Sequence, residues 1–188
     1  RVAVVGERDL PVYAVPAGDV EYRHQEDGPI SGWAQAPRIY ISMADADGIE
    51  VYSDTDWSGC PRTRRSTSGG CVMIGRHVIR TWSSTQPSVT LSSGEAEFYG
   101  LVKAAGAGLG HQSIMADFGF KVPVRVWTDS SAAIGICSRQ VLGKLRHLAT
   151  HTLWIQQAVR LGRVDLRKVD GEVNPADLLT KHSRGRER

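Results

Sequence analysis

Four acids in this chain sit where carboxylate chemistry could be built. They are Asp54 in Tyr52-Ser53-Asp54-Thr55-Asp56-Trp57, Glu97 in Ser92-Ser93-Gly94-Glu95-Ala96-Glu97, Asp129 in Trp127-Thr128-Asp129-Ser130, and Asp177 in Asn174-Pro175-Ala176-Asp177-Leu178. Asp54 and Asp129 close runs whose patterning predicts strands, while Glu97 and Asp177 lie in runs that predict helices. Carboxylates from separate elements, brought together by a fold, can hold hard divalent cations that promote in-line attack on a phosphodiester. Each acid also has an ordinary alternative. Asp54 could simply end a strand at a turn, Asp129 could cap a helix, and Asp177 could pair with Lys181 one turn on. Two neighbours leave a choice open. Asp56 can point the same way as Asp54 from an extended chain, and on a helical wheel Glu95 lies nearer the apolar stripe than Glu97 does.

The rest of the chain must position these groups. Its 188 residues suit one domain with a full core, and 41% hydrophobic with 23% charged residues is ordinary for a globular protein. The charge is uneven: residues 1–50 hold 4 Lys/Arg and 9 Asp/Glu, a net of −5, and residues 51–188 hold 19 and 11, a net of +8. A basic body suits an anionic partner, nucleic acid first, although a soluble surface of that charge is an equally plain explanation. No apolar run is long enough to span a bilayer and no signal-peptide pattern opens the chain, so no membrane partner is expected. The three widely spaced cysteines, Cys60, Cys71 and Cys137, offer neither a disulfide framework nor a zinc pair. That predicts a reducing, intracellular setting, cytoplasmic or nuclear rather than secreted. His147 and His151 could share a helical face, but without a nearby Cys or matching acid they are better read as solvated or packed histidines.

Residues 1–48 are broken by Pro16, Gly18, Gly28, Pro29 and Gly48, and are expected to be a leader or the remnant of an upstream segment. From residue 49 the pattern sharpens. Strands are expected at 49–54, 70–74 and 78–83, with a polar loop over 58–68 and a hairpin around Gly75-Arg76-His77. Ser92 or Ser93 should cap a helix on which Phe98, Leu101, Val102 and Ala105 keep the helical period. Gly106, Gly108 and Gly110 should weaken its end, with a second helical piece over 111–118. A buried strand at 124–128, a helix after Ser130 as far as Cys137, a helix at 148–159, a strand at 164–169 and a last helix opened by Pro175 complete the order. The fold class is therefore α/β: a five-stranded mixed sheet flanked by helices, occupying residues 49–182, followed by a basic tail at 183–188.

Taken in sequence, several stretches resemble the ribonuclease H domain of a Ty1/copia-type retrotransposon polyprotein. They are Tyr52-Ser53-Asp54-Thr55-Asp56-Trp57-Ser58-Gly59, Arg64-Arg65-Ser66-Thr67-Ser68-Gly69, Trp82-Ser83-Ser84 with Gln86-Pro87, Ser92-Ser93-Gly94-Glu95-Ala96-Glu97-Phe98, Thr128-Asp129-Ser130-Ser131-Ala132-Ala133, Arg146-His147-Leu148 and Ala176-Asp177-Leu178-Leu179-Thr180-Lys181. The resemblance implies the ribonuclease H-like fold and hydrolysis of the RNA strand of an RNA/DNA hybrid. It implies Asp54, Glu97, Asp129 and Asp177 as catalytic metal ligands for two Mg²⁺ ions, with Mn²⁺ able to substitute. It also implies a reverse transcriptase domain as a partner in the same polyprotein. The chain departs from the family pattern at Ser58, where alanine is usual, and at 169–174, which holds no histidine before the last acid. For substrate contact, Arg64, Arg65, Ser66, Thr67 and Ser68 offer cations and hydroxyls in one loop, with Ser92 and Ser130 beside the acids. Trp57, Trp82 and Trp127 are expected to pack in the sheet or core. Two other readings stand beside this one: a ribonuclease H-like nucleic-acid-binding domain without turnover, and an integrase or transposase core that transfers DNA strands.

Overall fold

The computed structural model describes residues 47–139 and 153–181. The expectations for residues 1–46, for most of the first turns of the 148–159 helix, for His147 and His151, and for the basic tail lie outside the described residues. Five strands form one sheet: β1 (Ile49–Asp56), β2 (Thr67–Ile74), β3 (His77–Thr85), β4 (Val124–Thr128) and β5 (Asp165–Lys168). Their spatial order is β3-β2-β1-β4-β5. β1, β2 and β3 pair antiparallel, whereas β4 runs parallel to both β1 and β5. The expected mixed sheet is therefore present, with β1 and β2 two or three residues longer than the apolar pattern alone gave.

The hairpin between β2 and β3 turns on Gly75 and Arg76, with Gly75 at φ 57°, where a side chain would be strained. Return from the β3 edge to β4 on the far side of β1 requires a long crossover, which α1 (Ser93–Asp117) supplies. β1 alternates, placing Ile49, Val51, Ser53 and Thr55 on the face that α1 covers. Phe98, Leu101, Ala104 and Ala105 of α1 meet Ile49, Val51, Val72, Ile74, Val124 and Val126 in one core cluster. Each large side chain buried there contributes roughly 1.5–3 kcal/mol before the entropy of ordering is set against it. α2 (Ser131–Cys137) and α3 (Trp154–Arg160) extend the same layer through Ile136, Cys137 and Ile155.

Two helical expectations need correction. α1 is one continuous helix of 25 residues rather than two pieces parted by glycines. A Cβ on Gly108 would stand 2.6 Å from Val124 Cγ1 and 3.0 Å from Val51 Cγ2, and one on Gly100 would stand 2.5 Å from Thr55 Oγ1. These glycines let the helix lie close on the sheet, and the packing outweighs their poor helix propensity. The last helix is instead a pair of 3₁₀ turns, Gly171–Val173 and Pro175–Leu179. Asn174 links them: its Nδ2 donates to the Ser53 carbonyl at 3.0 Å and its Oδ1 accepts from Ala176 N at 3.1 Å. That pins the segment to β1 before a full α-helical turn can form.

Candidate active site

The register of the parallel pair brings the first two acids together. Tyr52 lies opposite Trp127 in the β1–β4 ladder, so Asp54 and Asp129, each two residues further on, stand side by side where that pairing ends. α1 enters above the same edge and carries Glu97 in its first turns. Asp54, Glu97 and Asp129 each offer a carboxylate oxygen, all within 4.8 Å of one another. Gly171 closes over Asp129, where a Cβ would lie 3.1 Å from Oδ2.

Three carboxylates at that spacing repel, and burial sharpens the effect. Desolvation first, then the charges of Asp54 and Asp129, push Glu97 up to about 8, against a smaller opposing hydrogen bond from the Thr55 backbone. Its Oε2 is buried with no hydrogen-bond partner. Asp54, also buried, is raised chiefly by desolvation, opposed by its hydrogen bond from Thr180 and reinforced by Asp129 and Asp177. A buried carboxylate oxygen that lacks a donor, inside a three-acid cluster of hard oxygen ligands, fits a divalent cation.

The fourth predicted acid is placed differently. Asp177 lies in the 3₁₀ turn packed beside β1 and β2, outside the three-acid cluster but near enough for its charge to raise Asp54. Lys181 Nζ holds both its oxygens, at 2.6 Å from Oδ1 and 2.7 Å from Oδ2, so the ion pair that was the alternative to a ligand role is present.

Geometry separates the members of both pairs, bringing Asp54 and Glu97 into the cluster. Glu95 belongs to the N-terminal cap of α1: Ser92 Oγ accepts from Glu95 N, and Glu95 Oε2 accepts from Leu91 N at 2.8 Å. It is buried at 3% exposure, in keeping with its place near the apolar stripe, and Glu97 is the acid that faces Asp54. Asp56 turns into the following loop, where a Cβ on Gly59 would overlap its Oδ2 at 1.7 Å.

The residues proposed for substrate contact divide into two groups. Arg64 and Arg65 are exposed and Thr67 is half-buried. Ser66 and Ser68 point inward instead: Ser66 Oγ meets Thr90 Oγ1 at 3.1 Å and accepts from Ser58 N, and Ser68 Oγ accepts from Gln86 Nε2 at 2.8 Å. Ser92 and Ser130 cap α1 and α2 through hydrogen bonds from Glu95 N and Ala133 N. Inside the loop, Ser58 Oγ donates to the Arg64 carbonyl, and Arg64 N donates to the Cys60 carbonyl at 2.8 Å. Arg64 is held at φ 56°. The loop is thus braced from within while its guanidinium groups face water. Trp57 is 48% exposed at its base, a correction to the packed role expected for it, although Nε1 donates to the Thr90 carbonyl. Trp127 stacks on Tyr52 with ring centroids 6.0 Å apart, as a sheet residue should. Sequence reasoning missed Gly171 and Asn174 as supports for the acids, and the only available signal was their place just before the last acid.

No family model matches the chain. It is 37% identical over 67 residues to an uncharacterized mitochondrial protein of Arabidopsis thaliana, covering 36% of this chain and 28% of that protein. It is 26% identical over 135 residues to the retrovirus-related Pol polyprotein from transposon TNT 1-94 of Nicotiana tabacum, covering 71% of this chain and 10% of the polyprotein. The chain therefore spans less than a third of the length of either relative. Among solved structures it is similar to LC11-RNase H1, isolated from compost by a metagenomic approach, with TM-score 0.51 and 17% identity over 71% of this chain and 92% of that one. That likeness establishes the fold as ribonuclease H-like, and the match to a transposon's retrovirus-related Pol polyprotein is consistent with the resemblance to a retrotransposon domain.

Proposed function

We propose that this chain, ribonuclease H-like in fold and related in sequence to a retrotransposon Pol polyprotein, is a metal-dependent endonuclease. Its substrate is the RNA strand of an RNA/DNA hybrid, and its natural setting is reverse transcription beside a reverse transcriptase domain. The reading rests on one observation: Asp54, Glu97 and Asp129 converge within 4.8 Å, with a buried Glu97 oxygen that has no protein partner. Those three side chains, with Asp177 as a fourth, are the residues that would hold two Mg²⁺ ions, with Mn²⁺ as a substitute. When bound, such ions supply an activated water and offset charge on the scissile phosphate and the leaving oxygen.

The chain's own part is positioning. Asp54 and Asp129 are fixed by strand register, which shifts only if the sheet itself is broken. Glu97 is fixed by a capped helix resting on that sheet. Asp177 stands at the rim with its charge balanced by Lys181 until a cation competes for it. Arg64 and Arg65 project from the braced loop after β1 and meet backbone phosphates, fixing register on the duplex without reading sequence. The functional unit is residues 49–182.

The test is cleavage of one labelled RNA/DNA hybrid with Mg²⁺, beside duplex RNA and duplex DNA. Hybrid-selective cutting that EDTA abolishes is expected. Preference for duplex DNA would move the chain to the strand-transfer class. A second reading, hybrid binding without turnover, has one observation in its favour: the Lys181 grip on Asp177. Metal-independent binding with no product would select it.

A further inference from the structure

Asp54 is the acid nearest the middle of the sheet, and its carboxylate is not held by the sheet alone. Thr180 Oγ1 donates a hydrogen bond to Asp54 Oδ2, across 126 positions of sequence, and the pair is buried. Thr180 is only 4% exposed. The same hydroxyl lies 3.1 Å from the Asp177 carbonyl. One hydroxyl has one hydrogen to give, and a charged carboxylate is the stronger acceptor, so the bond to Asp54 takes it whenever Asp54 is ionised. The methyl group is used as well. A Cβ on Gly69 of β2 would stand 2.7 Å from Thr180 Cγ2, so that methyl packs against the strand beside β1 and leaves the hydroxyl one direction to face. Asn174 anchors the start of the same turn to the Ser53 carbonyl, the residue before Asp54.

We infer that Thr180 is a positioning residue for the metal centre, fixing the plane of the Asp54 carboxylate and tying it to the turn that carries Asp177. The inference rests on the reading of the site given above and adds a residue to it. Partners that orient a metal ligand in this way typically set affinity by about 10–100-fold. Two substitutions separate the hydroxyl from the methyl. Thr180→Val keeps the packing against Gly69 and removes the donor, while Thr180→Ser keeps the donor and removes the packing. Thr180→Ala, which lacks both, is read beside Thr180→Val in case the buried branched side chain disturbs folding.

The experiment measures Mn²⁺ affinity by paramagnetic resonance, together with unfolding midpoints. It compares the parent, these variants, Asp54→Asn and the double variant Asp54→Asn/Thr180→Val. Thr180→Val should weaken Mn²⁺ binding roughly 10–100-fold, and Thr180→Ser should bind close to the parent. In the Asp54→Asn background the valine should cost no further affinity, because the two side chains act as one unit. Unchanged affinity in Thr180→Val, or an equal loss in both backgrounds, overturns the assignment and leaves Thr180 a structural cap. Hybrid cleavage measured in parallel separates the two ideas. A parent that shows this Thr180-dependent Mn²⁺ binding yet cuts no hybrid removes the nuclease reading and keeps the positioning role. A parent that cuts hybrid while Thr180→Val retains parental affinity and kcat removes the positioning role alone. A parent that binds no Mn²⁺ removes both.

Discussion

At the scale of single residues Glu97 is the most informative acid, because burial and two neighbouring carboxylates leave its charge unbalanced unless it holds a proton or a cation. In the folded chain its pKa is pushed up to about 8, from an ordinary 4.5, first by burial and then by Asp54 and Asp129. Between those two values the folded state keeps a proton that the unfolded chain has released, so metal-free stability falls as pH rises across that window. Glu97→Gln removes the ionisation. In EDTA at pH 8 this variant should be more stable than the parent by roughly 1–3 kcal/mol, losing that advantage as pH falls toward 4.5. Urea unfolding of both proteins at the two pH values checks it, and identical pH slopes would contradict it. Adding Mg²⁺ at pH 8 should raise the parent's melting temperature and leave Glu97→Gln nearly unmoved. Which acids matter was only partly legible beforehand. Asp54 and Asp129 could be read from strand ends, but the helical wheel preferred Glu95. The wheel failed because it scores burial against the core, and Glu95 is buried for a different reason, as a cap on the chain at Leu91. Nothing in the residues themselves announced Thr180 or Gly171, whose parts exist only after residues more than 40 positions apart have met.

At the scale of elements, glycine was the main source of misreading. A glycine row argues for a broken helix when seen alone, yet Gly100 and Gly108 face the sheet at separations no side chain tolerates. Gly110 does not: a Cβ there meets nothing within 4 Å. The two cases predict opposite outcomes. Gly108→Ala should destabilise the fold by about 1–3 kcal/mol through overpacking against Val124 and Val51. Gly110→Ala should stabilise it by roughly 0.5–1 kcal/mol through helix propensity. Denaturant midpoints decide, and equal shifts of one sign would refute the packing account of α1. The loop between β1 and β2 carries a second element-level expectation. Replacing Arg64 and Arg65 together by alanine should weaken hybrid binding uniformly across sequences and reduce the slope of log affinity against log salt by about 1 per lost phosphate contact. A salt titration by fluorescence anisotropy measures that slope, and an unchanged value would assign the loop to folding alone. The final turns show why element type can be missed while position is right. Pro175 correctly marked a helical start, but Asn174 bonds both backward and forward, and the Thr180 backbone N–H closes the turn on the Asp177 carbonyl.

At the scale of the whole molecule, order was more legible than detail. The strand sequence, the hairpin at Gly75 and the strand-to-helix junction at Asp129 all follow from local periodicity and turn chemistry, and those fix a mixed sheet before any long-range contact is considered. Convergence of the acids needed the topology: only when β4 pairs parallel to β1 do Asp54 and Asp129 become neighbours. No described helix is long and apolar enough to cross a membrane, and Cys60, Cys71 and Cys137 are all free thiols. The net charge of +8 over residues 51–188, the braced arginine loop and the three-acid cluster are what the proposal of polyanion cleavage draws together. The most direct measurement of that claim is single-turnover cleavage of a labelled RNA/DNA hybrid with Mg²⁺ by the parent and by Asp129→Asn. Cutting of the RNA strand by the parent and none above buffer background by the variant is the expected result. Equal rates in the two proteins would contradict a hydrolytic centre built on these carboxylates.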